Sequence, residues 1–261
     1  MSIRAAFAER KVKEQAVLIP YVCAGFPTRD ESLDLLHAAA DAGADVLELG
    51  IPFSDPLADG PTIQKATFRA LQAGMSVRGA LDLLNDFHQS RSTPVVLMTY
   101  LNPIHHAGLE AFVSSAREAG ADGLLITDLP AGADPELEET VRRGGVDLIG
   151  LLAPTTVPER IPEVARGASG FLYYISRTGV TGARRELRAD VRREVEAIRS
   201  VSELPVAVGF GVSTPAHAAL LAGVADGVVV GSALLDVVGS EGVAKGGAFL
   251  ASLRAAMDEA G

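Results

Sequence analysis

Eight short apolar runs punctuate this chain, at 16–22, 46–52, 94–100, 123–128, 146–153, 170–176, 205–211 and 227–233. Their number, and their alternation with helical stretches, restrict the fold more than any other feature. Most are dense in Val, Ile and Leu without clean polar alternation, the pattern of strands covered on both faces in a parallel sheet. Between them lie stretches with apolar residues at helical spacing. Residues 31–42 carry Leu33, Leu36 and Ala40 on one side, and 77–88, 109–119, 135–143, 185–199 and 215–222 repeat the pattern. Thr28-x-x-Glu31 has the form of a capping box. Thr214-Pro215 reads as an N-cap followed by proline at the first helical position.

A short internal repeat supports the count. Ala42-Gly43-Ala44-Asp45, Ala119-Gly120-Ala121-Asp122-Gly123 and Ala222-Gly223-Val224-Ala225-Asp226-Gly227 precede the second, fourth and eighth runs. In each, a helix stops at glycine and the chain turns into a strand. Eight β-α alternations with no proline-rich linker predict an α/β fold, a (β/α)8 TIM barrel formed by residues 1–261 as one domain with a short N-terminal helix. The alternative is an open doubly wound sheet, which is disfavoured because no GxGxxG follows the first run.

The 48% hydrophobic content suits a large core. A net charge of −10 argues against nucleic acid or an anionic membrane as partner, so a phosphorylated ligand would need a local cradle of backbone N–H groups. One cysteine, Cys23, permits no disulfide within the chain and reads as a small buried apolar residue. No signal-like apolar segment opens the sequence, and no apolar run reaches the roughly 20 residues of a membrane span, so the cytoplasm is expected.

In a barrel the chemistry sits at the C-terminal ends of the strands. Glycine-bearing loops follow runs six, seven and eight, at 179–182, 209–213 and 231–233. Each glycine alone is most simply a turn former, but three on one sector of a barrel suggest an anion cradle, completed by a short helix starting after Gly231-Ser232. Two acids belong to the second run and its loop. Period-two geometry turns Val46, Glu48 and Gly50 to one face and Leu47, Leu49 and Ile51 to the other, so Glu48 points into the barrel. A carboxyl buried there suits proton transfer near neutral pH, or is held by hydroxyl groups. Asp59 lies in the loop beyond, where aspartates commonly make turns. The lysines Lys11, Lys13, Lys65 and Lys245 all fall outside the runs, which disfavours a Schiff base. Of the histidines, His37, His88 and His217 fall in helical stretches and His105 and His106 in a loop, which makes no metal set.

Residues 47–64 read LELGIPFSDPLADGPTIQ, and this stretch resembles the signature of the tryptophan synthase alpha chain family. The resemblance extends through Tyr100-Leu101-Asn102-Pro103, Thr127-Asp128-Leu129-Pro130, the 176–182 segment, Gly209-Phe210-Gly211 and Gly231-Ser232, and so spans essentially the whole chain. It implies retro-aldol cleavage of indole-3-glycerol phosphate to indole and glyceraldehyde 3-phosphate, with Glu48 as principal acid/base and Asp59 as second carboxylate. It further implies that Tyr100, Tyr173 and Thr181 line or gate the site, Thr181 reaching Asp59 from a closing loop after strand six. Gly182, Gly211, Gly231 and Ser232 match phosphate-binding positions; Tyr21, Met98 and Phe210 match those around the indole ring. Pro52, Asp55 and Pro56 match the contact with a beta chain in an α2β2 heterotetramer. No cofactor is implied for this chain, pyridoxal phosphate belonging to the beta partner. Tyr21 and Cys23 stand where phenylalanine and threonine are common. The competing readings are a lyase acting without a beta partner, another phosphate-binding barrel such as a sugar-phosphate isomerase, and a non-catalytic regulatory subunit.

Overall fold

The apolar runs fold as parallel strands. A computed structural model describes residues 1–130, 132–176, 184–209 and 211–260, with the backbone alone at 184–190. Nine strand segments are present among the described residues: β1 (Val17–Cys23), β2 (Leu47–Gly50), β3 (Val95–Thr99), β4 (Gly123–Ile126), β5 (Asp147–Leu148), β6 (Gly150–Leu152), β7 (Leu172–Ile175), β8 (Val206–Gly209) and β9 (Gly227–Val230). They form one sheet in the order β5-β4-β3-β2-β1-β9-β8-β7-β6. Its two edges, β5 and β6, are consecutive halves of the fifth run, so the sheet closes into an eight-staved barrel. The fifth run changes partner at Ile149: Asp147–Leu148 pairs with β4 and Gly150–Leu152 with β7. Tilted strands meet their two neighbours at staggered heights, which is why one sequence run yields two segments.

Helices surround the sheet: α1 (Ile3–Val12), α2 (Arg29–Asp41), α3 (Pro61–Gln72), α4 (Val77–His88), α5 (Leu101–Ala107), α6 (Leu109–Glu118), α7 (Pro135–Arg143), α8 (Ile161–Gly167), α9 (Arg184–Arg199), α10 (Pro215–Ala222), α11 (Ser232–Glu241) and α12 (Val243–Asp258). Thr28 caps α2 by accepting the Glu31 N–H, and its hydroxyl donates to the Glu31 carboxylate at 2.8 Å. Thr214 caps α10, with Pro215 opening the helix. His105 and His106 lie in α5, not in a loop. Four helices, α3, α5, α8 and α12, have no counterpart in the sequence reading. Among them, α5 and α8 are seven residues long, and α12 carries Gly246-Gly247. Those glycines are contact points: a Cβ at Gly246 would lie 2.6 Å from Val238 of α11, and one at Gly247 3.3 Å from Ala38 of α2.

Alternation along each strand divides the apolar residues in two. Leu18, Val22, Leu47, Leu49, Leu97, Leu124, Val208 and Val228 join the layer between sheet and helices. Val17, Ile19, Val46, Val96, Leu125, Ile149, Phe171, Ala207 and Val229 fill the barrel, whose N-terminal end is closed by Ile3 and Phe7 of α1. The aspartates of the internal repeat pin neighbouring strands. Asp45 accepts the Leu18 N–H at 2.9 Å, Asp122 the Val95 N–H at 3.1 Å and Asp226 the Val206 N–H at 2.8 Å. Asp45 also receives Arg10 of α1 at 2.6 Å and the buried Arg254 of α12 at 3.3 Å, tying both ends of the chain to the barrel floor.

Candidate active site

The inward residues of β2, and Val46 just before it, change character along the barrel axis. Val46 belongs to the apolar interior, Glu48 stands above it, and Gly50 ends the strand at the rim. Glu48 is 3% exposed, and its neighbour in register on β1 is Tyr21. Burial first, and the negative charge of Asp59 second, push its pKa up to about 8; among the described residues no cation or hydrogen bond offsets them. At neutral pH Glu48 is therefore a carboxylic acid with a proton to give.

Asp59 is half-buried in the loop between β2 and α3. The Tyr100 hydroxyl donates to its Oδ2 at 3.0 Å and accepts the Ala58 N–H at 3.1 Å, so one phenol holds both the carboxylate and its backbone. Gln64, in the first turn of α3, donates to the carbonyls of Asp59 and Pro56 at 2.9 and 3.2 Å. The Phe53 ring packs on that of Tyr100 with centroids 5.2 Å apart. Burial raises the Asp59 pKa to about 6, against the pull of the Tyr100 hydrogen bond. Two acids in mutual electrostatic contact thus have separated pKa values, the usual mark of divided acid and base roles.

Two tyrosines border this pair. Tyr21 lies across Gly50, where a Cβ would come within 2.1 Å of its hydroxyl; Tyr173 of β7 lies across Gly209, where the gap would be 2.4 Å. Glycine at those strand ends is what admits the rings. Burial, reinforced by the nearby acids, drives both phenol pKa values upward and keeps them neutral. Met98 joins the wall from β3, and Leu151, in register with Tyr173, joins from β6. Among the described residues, the side chains gathered at this end of the barrel are apolar except for the acids and phenols.

At the same end of the barrel the chain leaves β9 and enters α11. Gly231 is the N-cap and Ser232 the first helical residue, and among the described residues no side chain caps the helix. Its first-turn N–H groups and positive end are left available to an anion. A Cβ at Gly231 would lie 3.6 Å from Tyr21 and 3.9 Å from Ile63, so this helix end adjoins the aromatic wall. Gly211, with φ +76°, turns the chain beyond β8.

The structure brings together Glu48, Asp59, Tyr21, Tyr100, Tyr173 and Met98, with Gly231 adjoining them. Thr181, Gly182 and Phe210, with the rest of 177–183, lie outside the described residues. Of the residues expected to meet a partner, Asp55 is exposed, Pro56 half-buried and Pro52 buried. Beside Asp55 and Pro56, Leu57 is 91% exposed, an apolar side chain in water that residue type alone does not flag. Sequence reasoning also missed Ile63, Gln64 and Leu151. The 47–64 motif contains the first two, but their contacts depend on how the loop folds back. A cavity of about 1000 Å³ at the opposite end of the barrel, lined by Arg4, Lys11, Arg166 and Arg199 among others, is part of the floor closed by α1. Arg199 is already paired there with Asp226 at 2.7 Å. Among the described residues no three His, Cys, Asp or Glu side chains are grouped to hold a metal ion.

Comparison with known proteins agrees with the geometry. Residues 7–257 match the profile of the family described as tryptophan synthase alpha chain. The crystal structure of tryptophan synthase subunit alpha from Legionella pneumophila superposes with a TM-score of 0.91 at 38% identity, covering 99% of each chain. A chain of tryptophan synthase from M. tuberculosis, in an open form with BRD0059 bound, superposes with a TM-score of 0.90 at 33% identity over 98% of each. A protein from Aquifex aeolicus gives 0.90 at 36% identity, covering 98% of this chain and 99% of that one.

Proposed function

This chain belongs to the tryptophan synthase alpha chain family, and from that premise we propose how it cleaves indole-3-glycerol phosphate. The observation that carries the reading is the pair Glu48 and Asp59, one buried and protonated near neutral pH, the other largely ionised, set among apolar and aromatic side chains at the end of the barrel where α11 begins.

Indole leaves a carbon–carbon bond only after its C3 has been protonated, because the electron pair released by cleavage then has the iminium of the ring to return to. Glu48 donates that proton to C3. The resulting carboxylate takes the proton from the hydroxyl on the adjacent glycerol carbon as that carbon becomes the aldehyde of glyceraldehyde 3-phosphate, and Glu48 is regenerated as the acid. Asp59 accepts the indole N–H and stabilises the positive ring while it lasts. Each positioned proton transfer contributes on the order of 10² to 10⁴ in rate. The phosphate rests at the α11 N-terminus, with Gly211 and Gly231 admitting it closely, and so spends remote binding energy on orientation. Tyr21, Met98 and Tyr173 supply the ring pocket.

The reaction draws on side chains of this chain alone, and pyridoxal phosphate is left to a beta partner. Family membership does not favour a lyase that works without one. The exposed side chains of Asp55 and Leu57 support docking of that partner within an α2β2 assembly, and the cytoplasm is the proposed location. No helix among the described residues is long and apolar enough to cross a membrane. Indole release from indole-3-glycerol phosphate, measured with and without a beta chain, tests the reading. Absence of release in both would overturn it.

A further inference from the structure

We infer that Asp128 is a positioning residue for Asp59, acting through the backbone of Leu101 and the hydroxyl of Tyr100. The inference rests on the reading of Asp59 as the second acid of the site, and it gives a role to two sequence motifs that the mechanism leaves idle.

Tyr100-Leu101-Asn102-Pro103 and Thr127-Asp128-Leu129-Pro130 follow adjacent strands, β3 and β4, and they meet at the rim. Tyr100 is the N-cap of α5, and its long side chain cannot cap the helix; its hydroxyl reaches Ala58 and Asp59 instead. The vacant capping role is filled from the next strand: Asp128 Oδ1 accepts the N–H of Leu101 at 2.7 Å. Thr127 adds to the same junction, its N–H and hydroxyl both donating to the Thr99 carbonyl, at 3.0 and 3.3 Å. A carboxylate at the first N–H of a helix fixes where that helix begins. Here the residue at that beginning is Tyr100, whose ring must reach across to the β2 loop. Freed from Asp128, α5 can start one residue later and swing the phenol away from Asp59.

The groups that face Asp59 are Tyr100 from the start of α5, Glu48 from β2, Tyr21 and Cys23 from β1 and Tyr173 from β7. Tyr100 alone among them holds Asp59 by a hydrogen bond within the described residues, and that bond lowers the Asp59 pKa against burial. Loss of the bond therefore raises the pH at which Asp59 becomes an anion. Asp128 has no direct electrostatic hold on Asp59. Its influence runs through position, and an uncharged acceptor should serve as well.

The test compares Asp128→Ala, Asp128→Asn and Tyr100→Phe, singly and combined, in the full chain with its beta partner. Asp128→Ala is expected to lower kcat/KM about fivefold, the size of one lost helix cap read through the rate. It should also move the acidic limb of the pH profile upward. Asp128→Asn, which keeps the acceptor oxygen, should stay near wild type. Asp128→Ala should add nothing in the Tyr100→Phe background. Leu101→Pro removes the donor instead of the acceptor, at a helix position that tolerates proline, and should reproduce Asp128→Ala even if that variant folds poorly. Carbon-detected NMR titration of the Asp59 carboxyl in the resting chain reads the same shift without turnover. A failure of the proposed reaction therefore leaves this measurement intact. Additive effects of Asp128→Ala and Tyr100→Phe, or an Asp59 titration unmoved by Asp128→Ala, overturn the inference.

Discussion

Replacing Glu48 by glutamine should make this protein more stable while it abolishes its chemistry. The two carboxyl oxygens of Glu48 lie in an apolar interior with no compensating cation among the described residues, and burial raises the pKa from an ordinary value of 4.5 to about 8. In the unfolded chain the same group ionises freely above its ordinary value. A carboxyl with a raised folded pKa adds no penalty below the unfolded value, loses stability steadily as pH climbs, and levels off above the folded value. At pH 7 the folded state forgoes an ionisation worth about 3 kcal/mol, and above pH 8 about 5 kcal/mol, at 1.36 kcal/mol for each pH unit between the two values. Glutamine has nearly the same shape and no such proton to lose. Urea denaturation of wild type and Glu48→Gln, repeated from pH 4 to pH 9, should give similar stabilities at the acid end. The gap should then open in favour of the variant and become flat above about pH 8. Over the same range indole release by Glu48→Gln should fall at least a hundredfold, with binding of indole-3-propanol phosphate kept. Parallel stability curves across the whole range would refute the account of Glu48 as a buried acid kept neutral by its surroundings. Retention of more than about a tenth of the rate would remove it from the proton transfer.

Three further outcomes are expected. Asp59→Asn should cut kcat by on the order of 10² or more with the fold intact, and removal of its charge should draw the Glu48 titration downward, shifting the alkaline limb of the rate profile to lower pH; an unchanged limb would separate the two acids. Ser232→Asp places a negative charge at the α11 N-terminus and should raise KM for the phosphorylated substrate about tenfold or more, with thermal stability little changed, whereas an unaltered KM would move the phosphate elsewhere. Asp45→Asn strips a charge from the cluster with Arg10 and the buried Arg254, and should cost about 3 kcal/mol of unfolding free energy in denaturant titration; a cost below about 0.5 kcal/mol would show that the cluster is dispensable.

Much of the barrel can be read from residues alone because strands and helices are local periodic patterns. Leu47, Leu49 and Ile51 had to face helices once Val46, Glu48 and Gly50 faced inward, and the structure divides them that way. The repeat ending in Asp45, Asp122 and Asp226 announced helix ends, but its deeper role, the grip of each carboxylate on a neighbouring strand, depends on which strands are neighbours. Helix α12 was hidden for a related reason. Gly246 and Gly247 look like loop residues until α2 and α11 are seen to press against them. The split of the fifth run at Ile149 follows from barrel stagger, which no single run encodes.

The same division holds at the site. Sequence by itself determined that an acid would point inward from β2, that a second would follow in its loop, and that glycines would open the ends of the later strands, since side-chain direction and backbone freedom are properties of a residue and its immediate neighbours. Tertiary structure decided what those groups can do. Glu48 is an acid at neutral pH because β1, β2 and β7 bury it together with Asp59, and Asp59 is an acceptor because Tyr100, 41 positions along the chain, reaches back to hold it. A pKa reports everything packed around a group, and packing is settled only when distant segments of the chain come together.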